Sequence, residues 1–238
     1  MSENRKRKIL HITYIAENAY WFNRVFQKMN DTQKEKYKKA RLHELRNSIL
    51  LKLYLVKVLI PEINLEAVKI YDLFKRNNEK VNNCINGNFG FSFRIGDNRI
   101  YRILAFIEAI LIELKSATDL IIKYFSKFYT HIFLEKKGEK SIIKELENSG
   151  VGLAWREELN YIRCGFLHHY SGWVSFEKLN NTYKLLINLP KSVRRFKQYQ
   201  KFPYDELNEK KINEILNEFS SFNDGAFGFL VKKIHELS

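Results

Sequence analysis

Residues 155–173 read WREELNYIRCGFLHHYSGW, and the reading of the whole chain turns on them. Trp155, Leu159, Ile162 and Phe166 recur at spacings of four, three and four, the mark of one buried helix face. At 100° per residue Arg163 lies roughly 80° from the centre of that stripe, at its rim. His169 falls back near the stripe, whereas His168 projects away from it if the helix runs so far. The two histidines therefore do not both belong to a core, and Gly172 stops the segment. Histidine exchanges a proton near neutral pH, and the planar arginine fork fits phosphate. Together they suggest phosphodiester chemistry.

Outward from this stretch, the composition favours helices. The chain has 238 residues, of which only three are proline and ten glycine. Leu, Ile, Lys and Glu are abundant, so helix formers are many and breakers few. The length suffices for a real core. Lys and Arg number 41 against 27 Asp and Glu, a formal charge of +14. An excess of that size favours nucleic acid first and anionic membrane second as a partner. Cys84 and Cys164 have no metal-type spacing, and two thiols in so long a chain indicate a reducing compartment. The N-terminus MSENRKRKIL has no signal-type apolar core. The longest apolar run, Ile103 to Leu114, contains Glu108 and Glu113 and is too polar to span a bilayer. A cytoplasmic protein without a membrane association is the expectation.

The periodicity predicts a mainly α single domain over residues 1–238. A first helix covers residues 8–29, and Asn30-Asp31-Thr32 opens the next, with Asp31 or Thr32 as N-cap. That second helix runs over residues 33–59 and ends at Pro61. Another covers about Leu65 to Asn82, and residues 83–98 form an ordered loop or one short strand. The longest and most central helix is expected over Arg99 to Leu134, broken by Gly138. Ser141 to Asn148 makes a short helix before the focal one. After Gly172 the pattern turns to period two on both sides of Asn180-Asn181, which reads as a small β-hairpin closed by Pro190. Final helices are expected from Tyr204 to about Phe219 and from Phe227 to Leu237.

Three further features bear on chemistry. Glu113, Ser116 and Asp119 share one edge of the long helix, either solvated or facing the histidines. The segment 191–203, KSVRRFKQYQKFP, interleaves Lys191, Arg194, Arg195, Lys197 and Lys201 with Phe196 and Tyr199. It reads as an RNA-binding strip, where bases stack and phosphates pair, or as a solvated connection. His43 and Asn47 lie one helical turn apart but lack further metal ligands. No strand–GxGxxG–helix unit and no G-x-S-x-G elbow occurs, so no cofactor is expected.

Arg163-Cys-Gly-Phe-Leu-His168, on the last turns of a late helix, resembles the R-x(4–6)-H motif of the HEPN superfamily. The resemblance covers about residues 99–190 and implies a HEPN-like helical bundle, with helical elaborations on both sides. In that family a polar residue, typically Asn, follows the arginine; here Cys164 stands in its place. What the resemblance implies is a metal-independent endoribonuclease in phage defence or a toxin–antitoxin system. It also implies a homodimer in which two motifs compose one RNA-cleaving site, with an antitoxin or regulatory partner. His168 or His169 would be general base on the ribose 2′-hydroxyl, and Arg163 would stabilise the phosphoryl oxygens. The products would be a 2′,3′-cyclic phosphate and a 5′-hydroxyl. The alternative is a non-catalytic helical RNA-binding or adaptor protein, in which Arg163 and the histidines are structural.

Overall fold

The computed structural model describes residues 18–77, 98–168, 173–179, 182–190 and 204–236, with the backbone alone at 18–19, 165–168, 204–209 and throughout the first two strands apart from Val174, Leu185 and Ile187. The chain is mainly helical. The described helices are α1 (Asn18–Gln27), α2 (Asp31–Lys39), α3 (Leu42–Arg76), α4 (Asn98–Phe128), α5 (Glu139–Asn148), α6 (Trp155–His168) and α7 (Glu209–Glu236). A π-helical turn, Tyr129–Phe133, extends α4. Strands β1 (Trp173–Leu179), β2 (Thr182–Pro190) and β3 (Tyr204–Asn208) form one antiparallel sheet in the order β1-β2-β3. Leu179 stands opposite Thr182, and Pro190 opposite Tyr204. Residues 8–17 of the expected first helix, residues 83–97 and the Asn180-Asn181 turn lie outside the described residues.

Several expected boundaries move, each for a physical reason. The cap of α2 is Asn30 rather than Asp31 or Thr32. Its side chain accepts from the Gln33 N–H at 2.9 Å, while the Gln33 side chain accepts from the Asn30 N–H at 3.0 Å. That reciprocal pair is a capping box, with glutamine at the third position. The helix expected over 33–59 is interrupted at Arg41, which adopts a left-handed φ of 56°.

Pro61 does not end its helix. It lies inside the 35-residue α3. A proline there costs a hydrogen bond and about 3 kcal/mol. Leu53, Val56, Ile60, Ile63, Ala67, Ile70 and Phe74 are all buried, at spacings of three and four that continue in phase through the proline. Pro61 itself is exposed, so its ring needs no room in the core. Burial on both sides outweighs the local defect.

At the other end of the chain, Tyr204–Asn208 is a strand paired along β2, not the start of a helix. The two helices expected after it are one, α7, running through Asn223, Asp224 and Gly225. Phe219, Phe222, Ala226, Phe227 and Leu230 are buried along it, so a continuous packed face overrides the weak helix formers in the middle. Gly138 is the N-cap of α5, while the α4 extension stops earlier at Leu134, whose φ of 60° and ψ of 25° are left-handed.

The chain groups into two compact units, and the division falls within α3, α4, α6 and α7. One unit contains Val58–Leu111 and Leu159–Glu214. Its interior includes Ile63, Ile70, Ile103, Ile107, Leu159 and Ile162, with Val174, Leu185 and Ile187 from the sheet. The other contains Ile12–Lys57, Ile112–Glu158 and Ile215–Ser238. Its centre is aromatic: Phe227 meets Phe22 at 4.7 Å, Phe125 at 5.9 Å and Tyr124 at 6.2 Å between ring centroids. Trp155 packs against Phe219 and Phe222, each at 5.7 Å. Edge-on and tilted rings at these separations add to the area they bury. No helix among the described residues is long and apolar enough to cross a membrane.

Candidate functional site

The focal helix is held at its start by its own chemistry. Gly150 takes a φ of +86°, a conformation suited to glycine, and lets Val151 donate back to the Leu146 carbonyl at 3.0 Å. The Trp155 indole N–H donates to the Gly152 carbonyl at 3.2 Å. Glu157 and Glu158 occupy the first turn of α6, where negative charge favours the helix dipole. Trp155, Leu159 and Ile162 are buried, as the stripe in the sequence requires. The Phe166 side chain lies outside the described residues.

On the rim of this stripe stand two arginines. Arg156 pairs with Asp119 at 3.2 Å. Arg163 follows seven residues later, about 20° round and roughly 10 Å along the helix, on the same face. Arg163 is half-buried, and its Nε is enclosed without a hydrogen-bond partner among the described residues. A guanidinium N–H removed from water and left unpaired costs free energy, and a phosphate or carboxylate oxygen brought to it would recover that cost. Cys164, beside it, is a free thiol of intermediate exposure.

His168 is the last residue of α6. It follows Arg163 by five positions, about 7.5 Å along the axis and 140° around it. The structure therefore carries both residues on one helix at its C-terminal end. His169, Lys191, Arg194, Arg195, Lys197 and Lys201 lie outside the described residues, as does the His168 side chain.

Along the polar edge of α4, ion pairs occupy Glu113 and Asp119. Lys52 meets Glu113 at 2.9 Å, and Lys115 and Arg156 both engage Asp119. His43 lies 4.0 Å from Glu44. Among the described residues no three His, Cys, Asp or Glu side chains gather as a metal site would need.

One feature escaped the sequence reading. Ser221, Gly225 and Gly228, spaced four and three along α7, border a cavity of about 770 Å³ whose walls include Val151, Trp155 and Phe229. The i, i+4, i+7 run of small residues was the available signal. Arg163 is not among the residues that line this cavity. The chain matches no family model, no curated protein and no solved structure.

Proposed function

We propose that the protein is a metal-independent endoribonuclease of the HEPN type, a helical bundle whose motif helix is followed by a hairpin. The observation that carries the reading is Arg163: a half-buried guanidinium whose enclosed Nε has no hydrogen-bond partner among the described residues, five residues before the histidine that closes the same helix. Arg163 lies within the stretch that resembles the family, and the formal charge of +14 suits an RNA substrate.

In this reading His168 or His169 takes the proton from a ribose 2′-hydroxyl, whose oxygen attacks the adjacent phosphorus. The bond to the 5′-oxygen of the next nucleotide breaks. The strand then ends in a 2′,3′-cyclic phosphate, and the leaving strand carries a 5′-hydroxyl. Arg163 donates to the phosphoryl oxygens as negative charge builds on them. DNA lacks the attacking hydroxyl and survives. Two motifs compose the site across a homodimer interface in the cytoplasm, under control of an antitoxin or regulatory partner.

Purified protein incubated with total RNA in EDTA tests this. Cleavage by the wild type, lost in Arg163→Ala and in His168→Ala, supports it. Cleavage that survives both substitutions, or that EDTA abolishes, overturns it. Cys164, where the family has a polar residue, favours a second reading as a non-catalytic RNA-binding or adaptor protein. That reading predicts salt-sensitive RNA binding with no cleavage at all.

A further inference from the structure

Glu66 is 4% exposed and lies among the buried residues Ile63, Ala67 and Ile70 of α3. A carboxylate taken out of water needs cations beside it, and Glu66 has three. Lys69 Nζ approaches Oε1 at 2.9 Å, Arg102 Nη1 stands 3.7 Å from Oε1, and Arg99 Nε stands 3.9 Å from Oε2. Three cations thus surround this one carboxylate. Lys69 makes a hydrogen bond to Oε1, and Oε2 is enclosed without a hydrogen-bond partner among the described residues. Arg102 meets Glu66 beyond hydrogen-bond distance, so this contact is electrostatic and does not use its N–H donors.

The cations reach inward from the surface. The side chain of Arg102 is 63% exposed against 5% for Glu66, so one end of the cluster is fixed in the interior and the other faces water. Arg76, exposed at the end of α3, lies seven residues beyond Lys69 on the same helical face, about 10.5 Å along. Tyr101 precedes Arg102 on α4, about 100° round the helix from it, and is 68% exposed. A basic cluster anchored from below and flanked by an open aromatic ring has the parts of a single-strand platform: cations for phosphates and a ring face for a base.

We propose that Lys69, Arg99 and Arg102, held in place by Glu66, bind the phosphodiester backbone of single-stranded RNA, with a base stacked on Tyr101. The proposal rests on the ribonuclease reading and deepens it by assigning part of the substrate to this cluster. Glu66 acts as a positioning residue: it turns flexible side chains into an ordered anion site and takes no part in chemistry. An unpaired strand is required because a base inside a duplex has no free face for Tyr101.

The test is binding of a labelled single-stranded RNA to the full chain carrying Arg163→Ala, in EDTA, across a series of salt concentrations. Adding Lys69→Gln together with Arg102→Gln is expected to weaken binding at least about tenfold. It should also reduce the slope of log affinity against log salt by about 1.4, two phosphate contacts' worth for a single strand. Tyr101→Ala should weaken single-strand binding about 5- to 100-fold while leaving that slope unchanged. A second double variant, Lys69→Gln with Arg102→Lys, should lose only about half as much slope, which separates charge from fold. Melting curves like the parent's confirm that each variant is folded. Unchanged affinity and slope in the first double variant overturn the proposal. So does equally tight binding of a poly-glutamate peptide, or of duplex RNA with the same sensitivity to Tyr101→Ala. The nuclease reading can fail separately: if Arg163→Ala still cleaves RNA while the binding losses appear as stated, the binding site stands and the catalytic assignment falls.

Discussion

Tyr129 donates its phenolic proton to Glu145 at 2.8 Å, and that bond organises a three-residue knot at the end of α4. Lys137 reaches the other carboxylate oxygen at 2.6 Å and places its ammonium 4.3 Å from the Tyr129 ring centroid. Burial raises the Glu145 pKa, but the hydrogen bonds from Lys137 and Tyr129 and the charges of Lys137 and Lys233 outweigh it, and the net shift is downward. Tyr129 is pushed far above the ordinary phenol range, first by burial and then by its bond to the carboxylate. The knot therefore holds a charged acid, a neutral phenol and a charged amine.

The sign of the pH dependence follows. A carboxylate with a depressed folded pKa contributes stability above its unfolded pKa and loses it as pH falls through the folded value. The stability difference between wild type and Glu145→Gln should thus be full at pH 7 and shrink below the ordinary carboxylate range. Chemical denaturation of both proteins between pH 7 and acid checks this; a gap that widens on acidification would refute it. Above the ordinary phenol range the folded state holds a proton on Tyr129 that the unfolded chain gives up, so stability should fall there. Tyr129→Phe should cost about 1.5–3 kcal/mol at neutral pH, the worth of one hydrogen bond to a charged group.

Phe227 lies at the centre of the aromatic core and is fully buried. Replacing it with alanine removes its contacts with Phe22, Tyr124 and Phe125 and leaves a cavity among rigid rings. The expected loss is about 3–5 kcal/mol, read from urea midpoints with the denaturant slope unchanged.

Gly225 and Gly228 occupy the same helix but should respond differently to alanine. A Cβ at Gly228 meets nothing within 4 Å, whereas one at Gly225 comes within 3.2 Å of Val151 Cγ2. Gly228→Ala should therefore stabilise by about 0.5–1 kcal/mol through helix propensity. Gly225→Ala should gain less, because Val151 must shift to admit the methyl group. A larger gain at 225 than at 228 in thermal melts would contradict this packing.

Leu134 ends the π turn in a left-handed conformation and is 71% exposed. A branched side chain held in that backbone conformation costs about 1 kcal/mol and buries little in return. Leu134→Gly should raise stability by about 0.5–1 kcal/mol, since glycine is the common residue at such a helix end. Equilibrium unfolding of the single variant measures it.

For the proposed chemistry, Arg163→Ala should slow RNA cleavage by about 10²–10³-fold, and His168→Ala by about 10²–10⁴-fold if it is the base. Single-turnover rates on a defined RNA in EDTA give both numbers. Retention of a wild-type rate by the His168 variant together with loss in His169→Ala would move the role of base to His169.

What the sequence determined by itself were features set by local periodicity. The stripe of Trp155, Leu159 and Ile162 is helical and buried because its spacing allows one solution. The helical class follows from many helix formers and few breakers, and a helix start near Asn30 from the polar side chains there. The unbroken run of buried spacings through Pro61 was equally present in the sequence, although a local rule about proline pointed the other way.

Tertiary structure decided what depends on distant partners. Tyr204–Asn208 is a strand because β2 offers it backbone hydrogen bonds, which no propensity of those five residues encodes. Asn223, Asp224 and Gly225 stay helical because the aromatic core packs both flanks of α7. The pairing of Arg156 with Asp119 joins residues 37 positions apart in the chain, and the cations around Glu66 converge from two helices. Charge pairs across such separations form only when the backbone has already brought their elements together. Periodicity is a property of neighbours, and so it is written in the sequence; a charge cluster is a property of the fold.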